Sequence, residues 1–183
     1  FLYFNDDMFP MKECKPTDFF RNGKGVIRVS YHVLALDMFK QICRNSTRAA
    51  REALGLRPTF YFMRPQHICS PMFKSECEEL YNKVEPAIRK SISRVRTGEN
   101  LNQYLFLDYM YLKGKIINER ISKKHFSVGV VSANKLRKFV TRPTHKMACI
   151  NDVQLTEERY VELRKVLLDS FDELLPNKSK FEI

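Results

Sequence analysis

Three places in the chain carry side chains suited to metal, proton-transfer or anion chemistry. The first is a pair of Asn-Asp sequences. FLYFNDD sets Asn5, Asp6 and Asp7 behind an apolar run, and MACIND sets Asn151 and Asp152 behind another. In open α/β sheets, ligands bind just beyond the carboxyl ends of strands. Carboxylates there can hold a hard divalent cation, because magnesium takes one or two of them and completes its shell with water and phosphate oxygens. Adjacent Asp6 and Asp7 would face different ways on a continuing strand. Asn-Asp is also a common turn pair at strand ends, and that reading stands beside the chemical one.

The second place is His67, in the proline-flanked stretch RPQHICSP. A loop histidine there can serve as base, nucleophile or phosphate contact, or be a plain structural residue. His32, His125 and His145 lack that context. The third is Arg96, in the polar stretch SRVRTGEN. A planar guanidinium between two helices can clamp a phosphate, although most loop arginines are simply solvated. No His/Cys spacing suits zinc, and neither a GxSxG element, a P-loop nor a GxGxxG fingerprint occurs.

These residues need elements to hold them. Phe1–Phe4 reads as a buried strand, and residues 18–20 as a short turn or helix. Val26–Val33 is rich in β-branched residues and reads as a strand. Residues 34–54 read as a helix stopped at Gly55, and Thr59–Met63 as a short strand. Phe73, Cys77, Leu80, Val84, Ile88 and Ile92 recur at helical spacing, with Pro86 as a point where the helix can split. Asn100–Leu112 reads as a second apolar helix, and Phe126–Val131 and Met147–Ile150 as strands. A final helix follows Thr156, with Tyr160, Leu163, Leu167, Phe171 and Leu174 as its buried stripe. Mixed strands and helices without a Pro- or Gly-rich linker predict one α/β domain with a helical middle segment.

The bulk numbers agree with a globular protein. The 183 residues suffice for a core, with 44% hydrophobic and 29% charged residues. No apolar run approaches the length of a membrane span. Five cysteines without regular spacing suggest reduced thiols, mostly small buried hydrophobes, and a cytosolic setting. The net charge of +11, spread along the chain, points to an anionic partner of some kind: nucleic acid, membrane surface, acidic polymer or phosphorylated small molecule.

Taken in order, FLYFNDDMF, KPTDFF, HICSPMFKS, SRVRTGENLNQYLFLDYMYLKGK, ACIND and LPNKSKFE resemble the Stealth family of capsular polysaccharide phosphotransferases. That family is related to the catalytic region of the lysosomal-enzyme N-acetylglucosamine-1-phosphotransferase. The resemblance covers essentially the whole chain. It implies a partial Rossmann-like, glycosyltransferase-like mixed sheet, and transfer of a sugar-1-phosphate from a nucleotide sugar, commonly a UDP-sugar, to a glycan hydroxyl. Residue by residue, it implies catalytic roles for Asp7, His67 and Arg96. It implies Mg2+ or Mn2+ held by Asp6, Asp7 and Asp152, and substrate contacts from Asn5, Lys74, Asn100 and Asn151. His67 is left as base or as nucleophile.

The chain departs from the family pattern at Cys69, where proline is frequent, and at Asn100, where an acid is frequent. The family's nucleotide-binding part precedes its NDD element, so residues 1–183 are expected to be the C-terminal part of one catalytic domain. Alone, that part is expected to be inactive or poorly folded. The expected partners are a nucleotide-sugar donor and an anionic glycan acceptor, without nucleic acid or a transmembrane segment. The expected location is cytoplasmic, with peripheral association at the inner face of the membrane. A transferase should gather Asp7, His67, Arg96 and Asp152 about one cleft. The rival reading, a basic non-catalytic nucleic-acid-binding module, should instead present aromatic and basic residues together on one exposed face.

Overall fold

The structure, a computed structural model, describes residues 1–151 and 155–180. In chain order the elements begin with β1 (Leu2–Tyr3), β2 (Met8–Pro10), α1 (Pro16–Phe19), β3 (Phe20–Arg21), β4 (Lys24–Val26) and β5 (Val29–His32). The middle comprises α2 (Met38–Ala53), β6 (Phe62–Pro65), β7 (Ser70–Pro71), α3 (Lys74–Ser91), α4 (Tyr104–Leu112) and β8 (Ile116–Ile117). The last elements are β9 (Lys123–Ser127), α5 (Ala133–Thr141), β10 (Met147–Asn151) and α6 (Glu157–Leu174). The α/β class therefore holds, with several small sheets and a helical middle. The chain forms two compact units. Unit 1 is Phe1–Phe4 with Lys15–Ile121, and unit 2 is Asn5–Cys14 with Ser122–Ile183.

In unit 1, β5 and β6 pair antiparallel, from Val29 opposite Pro65 to His32 opposite Phe62. Helix α2 packs on β6 and on α4. Its small Ala49 and Ala50 let the α4 residues Leu105 and Tyr109 come close, and Leu80 and Val84 of α3 close the cluster. Leu80 is fully buried, which contributes about 1.5–3 kcal/mol relative to an exposed leucine. Strand β1 pairs with β7, β3 with β4, and β4 runs parallel to β8.

Several boundaries differ from the sequence reading, each for a local reason. Phe1, Tyr3 and Phe4 are exposed rather than buried, since β1 pairs only with two-residue β7. The 26–33 run is two strands. Ile27 still donates to Ile117 O, while Val29 is bonded on both backbone groups by the Asn118 side chain. Helix α2 starts at Met38 because Asp37 caps it, its Oδ1 accepting from Lys40 N at 2.8 Å. Leu34 and Leu36 thus lie outside the helix, exposed. Gly55 ends the segment in the left-handed region, φ 66°, as expected. The strand expected over Thr59–Met63 is β6, two to three residues later.

Pro86 does not split α3. It lies on the exposed face, as does Asn82, whose carbonyl loses its usual N–H and can turn to water. Ile92 caps that helix and is exposed, outside the predicted stripe. Helix α4 begins at Tyr104, four residues after its predicted start.

Unit 2 centres on β10, with β2 antiparallel on one side and β9 parallel on the other. Met147 to Ile150 are all buried, as suits a central strand covered on both faces. Helix α5 connects β9 to β10, giving a βαβ unit, and packs with α6. Its core joins Met11, Phe126, Leu136, Phe139, Val140, Ala148, Ile150 and Leu163. Strand β9 begins three residues earlier than predicted and ends at Ser127. Helix α5 was not foreseen, although Ser132 caps it and Leu136, Phe139 and Val140 have helical spacing. The final helix fits its prediction, with Thr156 accepting from Arg159 N, except that Tyr160 is exposed.

Candidate functional site

Unit 2 brings the first Asn-Asp sequence beside Asn151, which is far from it in the chain. Asp6 and Asp7 form a turn leading into β2. Met8 pairs with Cys149, and Ile150 N donates to Asp7 O at 2.8 Å. The acidic turn is thereby pinned at the carboxyl end of β10, beside Asn151. Val128 N donates to Asn151 O, so the end of β9 lies there too. The NDD element thus does not extend β1, as the sequence suggested; it sits where the parallel pair β9–β10 ends, the place where α/β sheets bind ligands. Asp152 lies outside the described residues.

Within this turn the Asp7 carboxylate accepts from the Cys149 thiol, Sγ to Oδ2 at 3.1 Å. Burial, and then this hydrogen bond and the Asp7 charge, push the Cys149 thiol up to about 12. It therefore stays protonated at neutral pH and donates to Asp7 instead of competing for a cation as thiolate. Asp6 is exposed, and Asn5 is half-buried.

His67 belongs to unit 1, in the loop between β6 and β7. Its Nδ1 lies 3.1 Å from the hydroxyl of buried Tyr104. Phe39, on the first turn of α2, sets its ring edge against both His67 and Tyr104, with centroids at 6.4 and 5.9 Å. A hydrogen bond and an aromatic edge thus fix the imidazole plane, as a proton-transfer or nucleophilic group requires.

Arg96 is exposed, in the loop between α3 and α4. That loop is built rather than slack. Asn100 donates to Ser91 O and to Ser93 Oγ, and its Oδ1 accepts from Thr97 N. Helix α2 ties the loop down. Asn45 Nδ2 donates to Gly98 O at 2.8 Å, and Ser46 Oγ donates to Asn102 Oδ1 at 3.2 Å. Gly98 admits the Gln41 side chain so closely that a Cβ there would lie 2.0 Å from its amide oxygen. One helix, α2, therefore touches the His67 ring through Phe39 and holds the Arg96 loop two turns further on. Lys74 is exposed at the start of α3 and ion-paired with Glu78 at 3.6 Å. Asn100 uses both ends of its amide in the loop itself, a role that the sequence reading did not foresee.

Other residues escaped the sequence reading because their partners are remote. Tyr104 and Cys149 read as ordinary core residues. Arg64 and His32 belong to no motif, yet the Arg64 guanidinium lies 5.5 Å over the Phe39 ring and His32 stacks on Phe62.

No known protein-family model matches the chain. Curated relatives do match over its whole length. It is 24% identical to an exopolysaccharide phosphotransferase of Lactiplantibacillus plantarum, covering 63% of that protein. It is 26% identical to a receptor polysaccharide phosphotransferase of Streptococcus oralis and 24% identical to a capsular polysaccharide phosphotransferase of Streptococcus pneumoniae, covering 64% of each. The chain thus spans somewhat under two thirds of the length of these relatives. Similarity of the whole chain to part of three polysaccharide phosphotransferases and the ordered motifs together support the Stealth family as the one this chain resembles.

Proposed function

We propose that the chain acts in an enzyme that transfers a sugar-1-phosphate from a nucleotide sugar, with a UDP-sugar as the first donor to try, to a hydroxyl of a capsule or exopolysaccharide glycan. The observation that carries this reading is the similarity of the entire chain to proteins named as phosphotransferases of exopolysaccharide, receptor polysaccharide and capsule. In the proposed step the acceptor oxygen attacks the sugar-bearing phosphorus. The bond from that phosphorus to the bridging oxygen breaks, and a nucleoside monophosphate leaves with the electron pair.

Unit 1 contributes His67 and Arg96 to this reading. With Nδ1 beside the Tyr104 hydroxyl, the His67 imidazole would take the hydroxyl proton, or attack phosphorus to give a phosphohistidine. Arg96 offers two parallel N–H donors to phosphoryl oxygens. Unit 2 contributes the acidic turn. Asp6 and Asp7 offer oxygen, and Cys149 beside them remains a neutral thiol, so the donor set suits a hard cation such as Mg2+ or Mn2+. When bound, such a cation would neutralise charge building on the diphosphate. Asn5 and Asn151 flank the turn as candidate substrate contacts, and Lys74 and Asn100 remain candidates on unit 1.

The nucleic-acid-binding alternative is not favoured. Many of its stacking candidates, including Phe62, Tyr104, Tyr109, Phe126 and Phe139, are buried in the two cores. Among the described residues no helix is long and apolar enough to cross a membrane. The test is to incubate the full-length gene product with a panel of nucleotide sugars and a glycan acceptor. Release of nucleoside monophosphate is expected; release of nucleoside diphosphate would identify an ordinary glycosyl transfer and refute the reading.

A further inference from the structure

Unit 1 holds a cluster of cations for which the proposed roles of His67 and Arg96 give no use. Arg64, on β6, lies over the Phe39 ring at 5.5 Å. Arg44, on α2, lies over the Phe62 ring at 5.7 Å. His32 stacks on the same Phe62 ring, with centroids 5.8 Å apart. Lys40 belongs to the same group and pairs with Asp37 at 2.9 Å. Among the described residues neither Arg64 nor Arg44 has an ion-pair partner, so this single acid serves the whole group. Placing several cations around one carboxylate costs stability, and a bound anion reduces that cost.

The hydrogen bonds fix how His32 faces such an anion. Ser30 Oγ donates its one proton to Arg64 O at 3.0 Å. Its contact with His32 Nε2 at 3.1 Å must then be accepted by the hydroxyl, so Nε2 carries the hydrogen. A second proton would therefore enter at Nδ1. Burial, and then the charges of Arg64 and Lys40, hold His32 below the usual histidine range, which favours the neutral ring. A dianion beside it would reverse that balance.

We infer that Arg64, His32 and Lys40 form a phosphate-binding subsite of unit 1, on the Phe39 side of His67. Its ligand is a phosphate-bearing group, from either the nucleotide or the sugar-phosphate half of a donor. Only that choice of source rests on the transfer reading; the binding chemistry does not.

The probe is sodium pyrophosphate, titrated calorimetrically into the full-length gene product with chelator present, so that no cation bridges it to carboxylates. Wild type is expected to bind, and Arg64→Gln to bind at least tenfold more weakly. Arg164→Gln, which removes the same charge from the exposed face of α6, is expected to bind like wild type. The imidazole signals of His32, followed by NMR, are expected to titrate at higher pH with pyrophosphate than without it. Equal weakening by both variants would show attraction by net charge alone and overturn the inference, as would no binding or an unmoved His32. If Arg64→Gln lowers the melting temperature, Arg64→Lys keeps the charge without the planar fork and is expected to lose affinity in part. Competition by uridine 5′-monophosphate or by glucose 1-phosphate then assigns the source. Pyrophosphate binding without any monophosphate release from nucleotide sugars would sink the transfer reading alone. Release that ignores Arg64→Gln, with no pyrophosphate site, would sink the subsite alone.

Discussion

Replacing Asp108 by asparagine should change how stability depends on pH, and by a definite amount per pH unit. Asp108 lies on α4, fully buried. Its Oδ2 accepts from Thr47 Oγ1 at 2.7 Å, and the same Thr47 oxygen accepts from Met63 N at 2.9 Å. Oδ1 has no hydrogen-bond partner among the described residues. Burial holds this carboxyl well above the usual range, against a weaker opposite pull from the Thr47 hydroxyl. The folded chain keeps the proton in a pH range where the unfolded chain has lost it. Stability therefore falls as pH rises from about 4 toward the folded pKa, because the folded state binds more protons there. The slope is about 1.4 kcal/mol per pH unit, or roughly 3–6 °C per unit for a chain of this size. Asp108→Asn is uncharged at every pH and keeps an oxygen for Thr47, so this component of the slope vanishes. Its own constant cost, about 1–3 kcal/mol for a buried amide short of partners, shifts the whole curve without tilting it. Thermal unfolding followed by circular dichroism from pH 4 to pH 8 reads both quantities. Parallel curves for wild type and variant would mean that Asp108 is ionised in the fold, and the reasoning would be wrong.

Further outcomes follow from the same geometry. Tyr104→Phe removes the hydroxyl on His67 Nδ1 and should slow monophosphate release about tenfold, with stability lowered by roughly 1 kcal/mol; an unchanged rate would show that Tyr104 does not orient the ring. Asp7→Asn in the full-length product should reduce release at least a hundredfold, and added Mn2+ should not restore it. Thr47→Val should cost about 1–3 kcal/mol, since it orphans Met63 N and Asp108 together. Hydrogen bonds from Lys113, Lys83 and Tyr109 lower Glu79 to about 2, so its contribution is complete above the normal glutamate range and lost as pH falls from about 4.5 toward 2. Melting temperatures of wild type and Glu79→Gln should therefore converge in acid and separate above it.

What could be read from the sequence was what neighbouring residues decide among themselves. MACIN announced β10 because four consecutive buried residues have no helical alternative of that length, and Thr156 announced α6 through its cap. The break after Val26 was illegible because Asn118, distant in sequence, takes over the backbone groups of Val29. Helix α5 hid behind Lys135, Arg137 and Lys138, whose charges dilute a short apolar stripe. The candidate residues His67 and Arg96 were nameable from their motifs, but their supports were not. Tyr104 lies 37 residues from His67, and nothing local distinguishes its hydroxyl from any other tyrosine's. Likewise the NDD turn looked like the end of the strand before it, when its backbone is fixed by a strand from the far end of the chain.

That last arrangement bears on how the chain is made. Asp7 and Cys149 are 142 positions apart, and nearly all of unit 1 is threaded between them. Closing so long a loop costs on the order of 4 kcal/mol of chain entropy, recovered only once β10 exists to receive β2. On the ribosome, residues 8–10 must wait, unzipped, until almost the entire polypeptide has emerged, while the helical part between can already condense. The acidic turn would be the last feature to find its place, so a nascent chain cut short before Met147 would carry a formed histidine loop and no seat for its carboxylates.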